Sequence, residues 1–478
     1  MKSVGSILEP LTLIHLCLLY ATADHWAVIV VGSRGYWNYR HQSDACHAYH
    51  VVHDHGIPKK NIILMMYNDV AHDSKNPLPG TLYNRPTLSR STGQVTEPKN
   101  VYDGCHVEYA GDAVTPQNFM NVLLGNKTAS NGKRVLESTK TDRVFINFVD
   151  HGANGYIVFP GTKKLTARQL HSTLLQMYTE NRYKEVVLYM EACHSGSMFI
   201  NRLPRKYNIF VTTAANRHES SWATYCPPYD KAYNHSIGSC LGDLYSVNWM
   251  DDSDLADLST ETLAQQHEKV KRETTKSHVK RFGSQTVENE IVGNFQSVDD
   301  ISVIEATARN ASDKVITPIS AQDLKVISAV ETYDVELIGK FYRYLRSESA
   351  SDRTRSVYDL MEELRERIRA DEVFDRLNTV ARNVVDRVQG SDSGWECYER
   401  ALKMFDVSCA GLGDTELGGA FTSYSLKYTE TFAALCASYK NHSAGVERKM
   451  EQVCLELQKD ESFFKGVNDR HSGKVDLS

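Results

Sequence analysis

The run Val186-Val187-Leu188-Tyr189-Met190 continues directly into Glu191-Ala192-Cys193-His194-Ser195-Gly196-Ser197-Met198-Phe199. Consecutive apolar residues, rather than alternating ones, describe a strand covered on both faces. The small polar residues after Cys193 end that strand in a tight turn. Similar runs stand elsewhere: Trp26 to Val31 before Gly32, Asn61 to Met66, Val144 to Val149 before Asp150-His151-Gly152, and Ile209 to Thr213 before Ala214. Helical stretches separate them, among them the one carrying Ala45, Tyr49 and Val52. The alternation predicts an α/β domain with a helix-flanked, mostly parallel sheet. Reactive groups in such sheets gather beyond the carboxyl ends of the strands. His151 and Cys193 each take that place after their own strand, and this coincidence carries the functional reading.

A cysteine attacks as its thiolate, so it needs a base within reach. His194 is adjacent in sequence, but neighbouring side chains on an extended segment point to opposite faces. His151, at the end of another strand, is the better base, since a catalytic pair is assembled in space. Gly152 offers an unhindered backbone N–H to a developing oxyanion, as does Cys193 itself.

The chain has 478 residues, 41% hydrophobic and 24% charged, the composition of a globular protein long enough for two or three domains. A net charge of −6 and the lack of basic motifs exclude nucleic acid as an expected partner. Residues 1–23 read as a signal peptide: Lys2, an apolar run from Leu11 to Tyr20, then Ala21-Thr22-Ala23. No later segment is apolar enough to suggest a membrane span. Asn126, Asn234, Asn310 and Asn441 fit the N-glycosylation pattern. Ten cysteines less Cys17 leave an odd number, so at least one stays unpaired within the chain. Cys397, Cys409, Cys436 and Cys454 suggest local disulfides near the C-terminus, and Cys226 with Cys240 a link across Pro227-Pro228. Cys46 is expected to be a small buried residue, and Cys105 has no assigned partner. His41, His47, His50, His53 and His55 crowd one helix, yet no metal-site pattern accompanies them, so no metal or other cofactor is expected.

Organisation follows from the same patterns. Residues 24–296 form the expected catalytic domain and 297–352 a linker or activation segment. Residues 353–478 form a helical domain, opened by Val357, Leu360, Met361, Leu364 and Ile368 on one face.

Several segments together resemble the legumain family of asparaginyl endopeptidases, in the caspase-like clan of cysteine proteases. They are His25 to Val28, Asn38 to Tyr49, Phe148-Val149-Asp150-His151-Gly152, Glu191-Ala192-Cys193 with Ser195-Gly196-Ser197, and Leu241-Gly242-Asp243 before Tyr245 to Met250. The resemblance is dense over the catalytic half and looser beyond it. It implies a caspase-like sheet followed by a death-domain-like prodomain that caps the active site until acid activation. It implies Cys193 as nucleophile, His151 as general base and acid, and Asn38 orienting the imidazole. Arg40, His41, Glu191, Ser220, Ser221 and Asp243 match the family's specificity pocket, and Asp150 a position that can occur as a succinimide. Implied too are the pairings Cys397–Cys436 and Cys409–Cys454.

The implied activity is cleavage after asparagine, and after aspartate at lower pH, through a thioester that an amine can also capture in ligation. The pocket chemistry is readable, since a primary amide presents two donors and one acceptor. Glu191 and Asp243 supply acceptors and Arg40 a donor, whereas aspartate meets like charge until acid neutralises one partner. Expected partners are peptide and protein substrates, the chain's own prodomain as inhibitor, and cystatin-type inhibitors. The expected setting is the secretory pathway: a lysosome or acidic vesicle, or a secreted, gut-lumen-like acidic medium. The linker lacks an asparagine between Leu345 and Asp352, so Asp352 stands as an alternative activation cut. Two competing readings are a lipid-anchor transamidase, which needs a membrane tail, and a silent homologue that binds through its helical domain.

Overall fold

The fold is described from a computed structural model covering residues 24–89, 95–161, 163–297, 321–381, 392–409, 421–439 and 442–459. The expected signal peptide and the sequons at Asn310 and Asn441 lie outside the described residues. Asn126 and Asn234 are exposed.

Six strands form the central sheet: β1 His25–Val31, β2 Ile62–Met65, β3 Arg143–Val149, β4 Glu185–Glu191, β5 Ile209–Thr213 and β6 Lys280–Gly283. Their order is β6-β5-β4-β3-β1-β2, parallel except for β6, which runs antiparallel to β5. The continuous apolar runs are explained by two buried faces. Ala27, Ile29, Phe145, Val187 and Tyr189 join one core, with Tyr49 and Trp249 from helices Tyr39–Asp54 and Leu244–Leu255. The alternate residues Val28, Val30, Ile146, Leu188 and Met190 join the other, with Phe119, Leu170 and Leu174. Among the described residues no helix is long and apolar enough to cross a membrane.

Two corrections to the sequence reading arise here. Cys46 is buried, as expected, but it is not a lone small residue: it is bonded to Cys105, closing a loop of sequence separation 59. The other pairs are Cys226–Cys240, Cys397–Cys436 and Cys409–Cys454, and Cys193 is the free cysteine among the described residues. The Cys46–Cys105 loop length corresponds to about 4 kcal/mol of restricted unfolded-state entropy. Cys105→Ser is therefore expected to lower Tm by several degrees in an oxidising thermal melt; an unchanged Tm would remove any stabilising role.

The second concerns residues 297–352, expected as a linker or activation segment: over its described part this stretch packs against the sheet domain with buried side chains. The helix Ala321–Ile327 carries Lys325, only 4% exposed, whose Nζ lies 2.7 Å from Asp251 and 2.9 Å from Asn248 Oδ1. Val330–Glu331 then adds a strand antiparallel to Trp222–Thr224. After the helix Val335–Leu345, Arg346 donates two hydrogen bonds to the buried Asp230, at 2.9 and 2.7 Å.

Helices Ala350–Ala381, Asp392–Ser408, Glu430–Ser438 and Ser443–Lys459 form the C-terminal unit. Its core of Phe374, Leu377, Phe405 and Phe432 is continuous with Ala153, Tyr156, Val158 and Cys193 beside the central sheet. Tyr398 donates to the Asn154 carbonyl at 2.7 Å.

Candidate active site

Val149 and Glu191 are direct register partners, so the residues just beyond β3 and β4 emerge side by side. His151 and Cys193 are those residues, each two positions past its strand. Gly152 packs onto the Cys193 backbone, where an added Cβ would stand 2.5 Å from the Cys193 carbonyl oxygen. Any larger residue would push the two segments apart.

Asn38, at the start of the Tyr39–Asp54 helix, completes the group. Its amide nitrogen donates to the Arg34 carbonyl at 2.8 Å, which identifies Oδ1 as the acceptor facing His151 Nε2 at 2.8 Å. The imidazole thus carries its proton on Nε2 and its lone pair on Nδ1. Nδ1 is buried without a hydrogen-bond partner. The Cys193 sulfur receives the Ser221 N–H at 3.3 Å and lies 3.7 Å from the Ser221 hydroxyl. His194 adopts the left-handed region at φ 55°, and its Nδ1 is taken up by the Arg217 carbonyl at 3.0 Å.

The expected pocket residues converge. Arg40 Nε donates to Asp243 Oδ1 at 2.8 Å and Nη1 to the Trp37 carbonyl at 3.3 Å. Glu191 Oε2 accepts from the Ser246 amide and hydroxyl, at 3.1 and 3.0 Å. His41 shares a 2.7 Å hydrogen bond with Ser33. Three buried atoms keep no hydrogen bond: the donor Arg40 Nη2 and the acceptors Glu191 Oε1 and Asp243 Oδ2. Ser220 differs, because its hydroxyl donates to Glu331 of the added strand.

The Peptidase C13 profile matches residues 25–298. Legumain from Mus musculus is 36% identical over 442 residues, 90% of this chain and 92% of the mouse protein. Legumain from Homo sapiens is 36% identical over 449 residues, covering 90% and 93%. The vacuolar-processing enzyme beta-isozyme of Arabidopsis thaliana is 34% identical over 430 residues, covering 86% and 82%. The chain belongs to the peptidase C13 family. It is a cysteine endopeptidase of the legumain type.

As it stands, this C13 peptidase is closed. Cys193 is fully buried and His151 is 2% exposed. Burial pushes the Cys193 thiol up to about 11, although hydrogen bonds from Ser221 pull the other way. Burial, and then the Arg40 charge, push His151 down to about 3. The pair is neutral and unbonded. The same burial holds Glu191 and Asp150 well above the usual carboxylate range and His41 well below that of histidine.

The crowded histidines have separate partners. His47 meets Asn84 and Asp254, His50 the Val101 carbonyl, and His53 its neighbour Asp54. Donor atoms of His41, Asp150 and His151 do lie within 4.8 Å of one another, but all three belong to the framework just described.

Sequence reasoning missed the segment that closes the site. The Thr332 amide donates to the Ser221 carbonyl at 3.3 Å, its hydroxyl to the same oxygen at 2.9 Å, and Tyr333 shares an apolar cluster with Cys193. No local pattern marks Val330 to Tyr333, because the partner strand lies more than a hundred residues away in sequence.

Proposed function

We propose that this chain is the inactive precursor of an endopeptidase that cleaves after asparagine, with Cys193 as nucleophile and His151 as general base and acid. The observation that carries the reading is the trio Arg40 Nη2, Glu191 Oε1 and Asp243 Oδ2. One donor and two acceptors without a hydrogen bond, Asp243 Oδ2 having only His41 Nε2 beside it at 3.5 Å, complement the oxygen and two N–H groups of a primary amide. Leaving such groups unpaired in a buried site disfavours side chains that cannot match them. An aspartate presents acceptors to both carboxylates, so its turnover requires a proton at low pH.

In the open enzyme His151 Nδ1 takes the thiol proton as Sγ bonds the asparagine carbonyl carbon. The oxyanion is received by backbone N–H groups of Gly152 and Cys193. The C–N bond then breaks, the amine leaves with the proton from His151, and a thioester remains. Water, deprotonated by His151, hydrolyses it; an incoming amine instead gives ligation. Asp150 carries its carboxyl beside the His151 amide, the arrangement from which attack of that nitrogen with loss of water forms a succinimide.

Val330–Glu331 lies as an added strand on Trp222–Thr224, the manner in which extended peptides bind sheet edges, and the following turn brings Tyr333 into the apolar cluster of Cys193. We read this segment as the inhibitory strap, with the helical unit as the prodomain that holds it. Asp352 lies in the first turn of a long helix and bonds Ser349 at 2.6 Å, so a cut there first requires unwinding. The setting we propose is an acidic compartment of the secretory pathway, in keeping with relatives named for vacuolar processing. Cystatin-type inhibitors would compete for the opened cleft.

Acid favours opening through His151. Its pKa is about 3 when closed, below the 6.5 of a hydrated imidazole. A depressed pKa stabilises the closed form fully above 6.5, and that contribution fades as pH falls toward 3. At pH about 5 the loss is about 2 kcal/mol. Asp150 and Glu191, raised by burial, act in the opposite sense: they penalise the closed form where their hydrated forms would be ionised, and that penalty fades as pH falls through the ordinary carboxylate range.

The test is a peptide bearing an asparagine-like electrophile, added to the intact chain after incubation at pH about 5 and about 7. Labelling of Cys193 is expected at the lower pH alone, and mass spectrometry of the products locates the activation cut. Silence at both, with the thiol open to a small reagent, would sink the asparaginyl reading and favour the binding-module alternative.

A further inference from the structure

Beneath the pocket lies a carboxyl that the proposed reaction does not use. Asp44, fully buried on the Tyr39–Asp54 helix, accepts the backbone N–H of Asp243 at 3.1 and 3.4 Å. It also accepts from Asn84 Nδ2 at 2.6 Å. Asn84 is itself braced. Its Nδ2 reaches the Leu241 carbonyl at 3.0 Å, its Oδ1 pairs with His47 Nδ1 at 2.7 Å, and His47 Nε2 meets Asp254 at 3.0 Å. The 241–243 backbone presses on this pair so closely that a Cβ on Gly242 would stand 2.9 Å from Asn84 Nδ2 and 3.0 Å from Asp44 Oδ1.

We propose that Asp44 is a positioning residue for asparagine selectivity, fixing the Gly242–Asp243 backbone so that Asp243 meets Arg40 through Oδ1 and offers Oδ2 to the pocket. The inference rests on the asparaginyl reading above. Every group facing Asp44 fits the role. The loop before Arg85 contributes Asn84, the last residue of β4 contributes Glu191, and the Gly242–Asp243 strand contributes Asp243. Burial first, then the charge of Asp243, hold Asp44 well above the usual carboxylate range, with Asn84 pulling the other way and Glu191 reinforcing the rise. Burial thus favours the neutral form of Asp44, while Arg40 and the Asp44 hydrogen bond work against the burial that raises Asp243. A neutral asparagine at this position has the same shape, accepts the same backbone N–H and still has a donor for Asp243.

The experiment measures kcat and KM of the acid-activated full chain on matched peptides ending in asparagine or aspartate at the cleaved bond. D44A is expected to raise KM for the asparagine peptide about tenfold or more, with kcat within about threefold, and to lower the asparagine-over-aspartate preference. D44N is expected to return KM to within about threefold of the parent. A folded D44A with the parent's KM and preference overturns the proposal, as does D44N impaired as severely as D44A. Folding is read from the rate at which a small thiol reagent modifies Cys193 after activation. Should D44A not fold, N84A leaves Asp44 in place but removes its brace, together with the Asn84 bonds to the Leu241 carbonyl and His47, and is expected to raise KM severalfold with kcat retained; no change in KM there is equally fatal. Failure of the parent enzyme to cleave the asparagine peptide would instead refute the asparaginyl reading, so the two failures are distinguishable.

Discussion

Cys193→Ala is expected to abolish turnover of an asparagine peptide by the acid-activated chain, lowering kcat by about four orders of magnitude or more. Losses of that size follow removal of a nucleophile in triad and dyad enzymes, where the residual rate comes from binding and oxyanion stabilisation alone. The fold should survive, because Cys193 takes part in no disulfide and alanine is only slightly smaller. Binding should survive too, since Arg40, Glu191 and Asp243 make their contacts independently of the sulfur. The informative measurement is therefore kcat beside the Kd of an uncleaved peptide. Full activity in the alanine variant would dismiss the nucleophile, whereas lost binding with lost rate would point to a collapsed site. His151→Ala should give a loss of similar size, and the double variant little more than either, because the two act as one unit.

The second large effect is expected at Lys325→Ala. This side chain inserts the strap's leading helix among Asp251 and Asn248, and Asp251 also pairs with Arg85. Removing one partner of a buried ion pair commonly costs about 3–5 kcal/mol, because it leaves the other charge uncompensated. Even the lower figure, with Arg85 still in place, corresponds to roughly a hundredfold weaker closure. Modification of Cys193 by a neutral thiol reagent at pH about 7 should accelerate by that factor, with K325R close to the parent. An unaltered rate in a folded K325A would show that the latch does not hold the strap. The pair also sets what acid cannot do. Burial raises Asp251, but Arg85 and Lys325 outweigh it, and its pKa lies below the ordinary 3.8. Its contribution to closure is thus complete above 3.8 and is lost only as pH falls below that value. Opening at pH about 5 must therefore work against an intact Lys325 latch, through His151 and not through this pair.

Much of this was legible in the chain. Uninterrupted apolar runs gave β1, β3, β4 and β5, because strands covered by helices on both sides have no solvent face to mark. Cys193 and His151 stand out because each sits at a strand's end, whereas Asn38, Arg40, Glu191 and Asp243 are named through the legumain-family resemblance. What escaped shares one physical property: its meaning depends on a distant partner. Lys325 reads as an ordinary solvated cation until Asp251 is brought against it. Cys46 and Cys105 flank no turn or repeat that would announce their bond. Asp44 looks like a surface residue of a polar helix, and only the Gly242 backbone pressed on it explains its burial. Val330 and Glu331 carry no pattern, since a two-residue strand takes its structure from the edge it joins, and the turn through Thr332 and Tyr333 follows from that docking.

The pairing of Val149 with Glu191 has a consequence for how this enzyme can vary. Nucleophile and base are brought together by the phase of two neighbouring strands, not by the loops that follow them. Insertions in the exposed turns at residues 179–181 or 204–206 leave that phase untouched and should be tolerated as surface changes. A single residue inserted within β3 or β4 is a different event: it turns one partner to the opposite face of the sheet while the rest of the core adjusts. Length variation in such peptidases should accordingly be generous in the connections and absent from a few consecutive positions before each reactive residue, a frame rather than a motif.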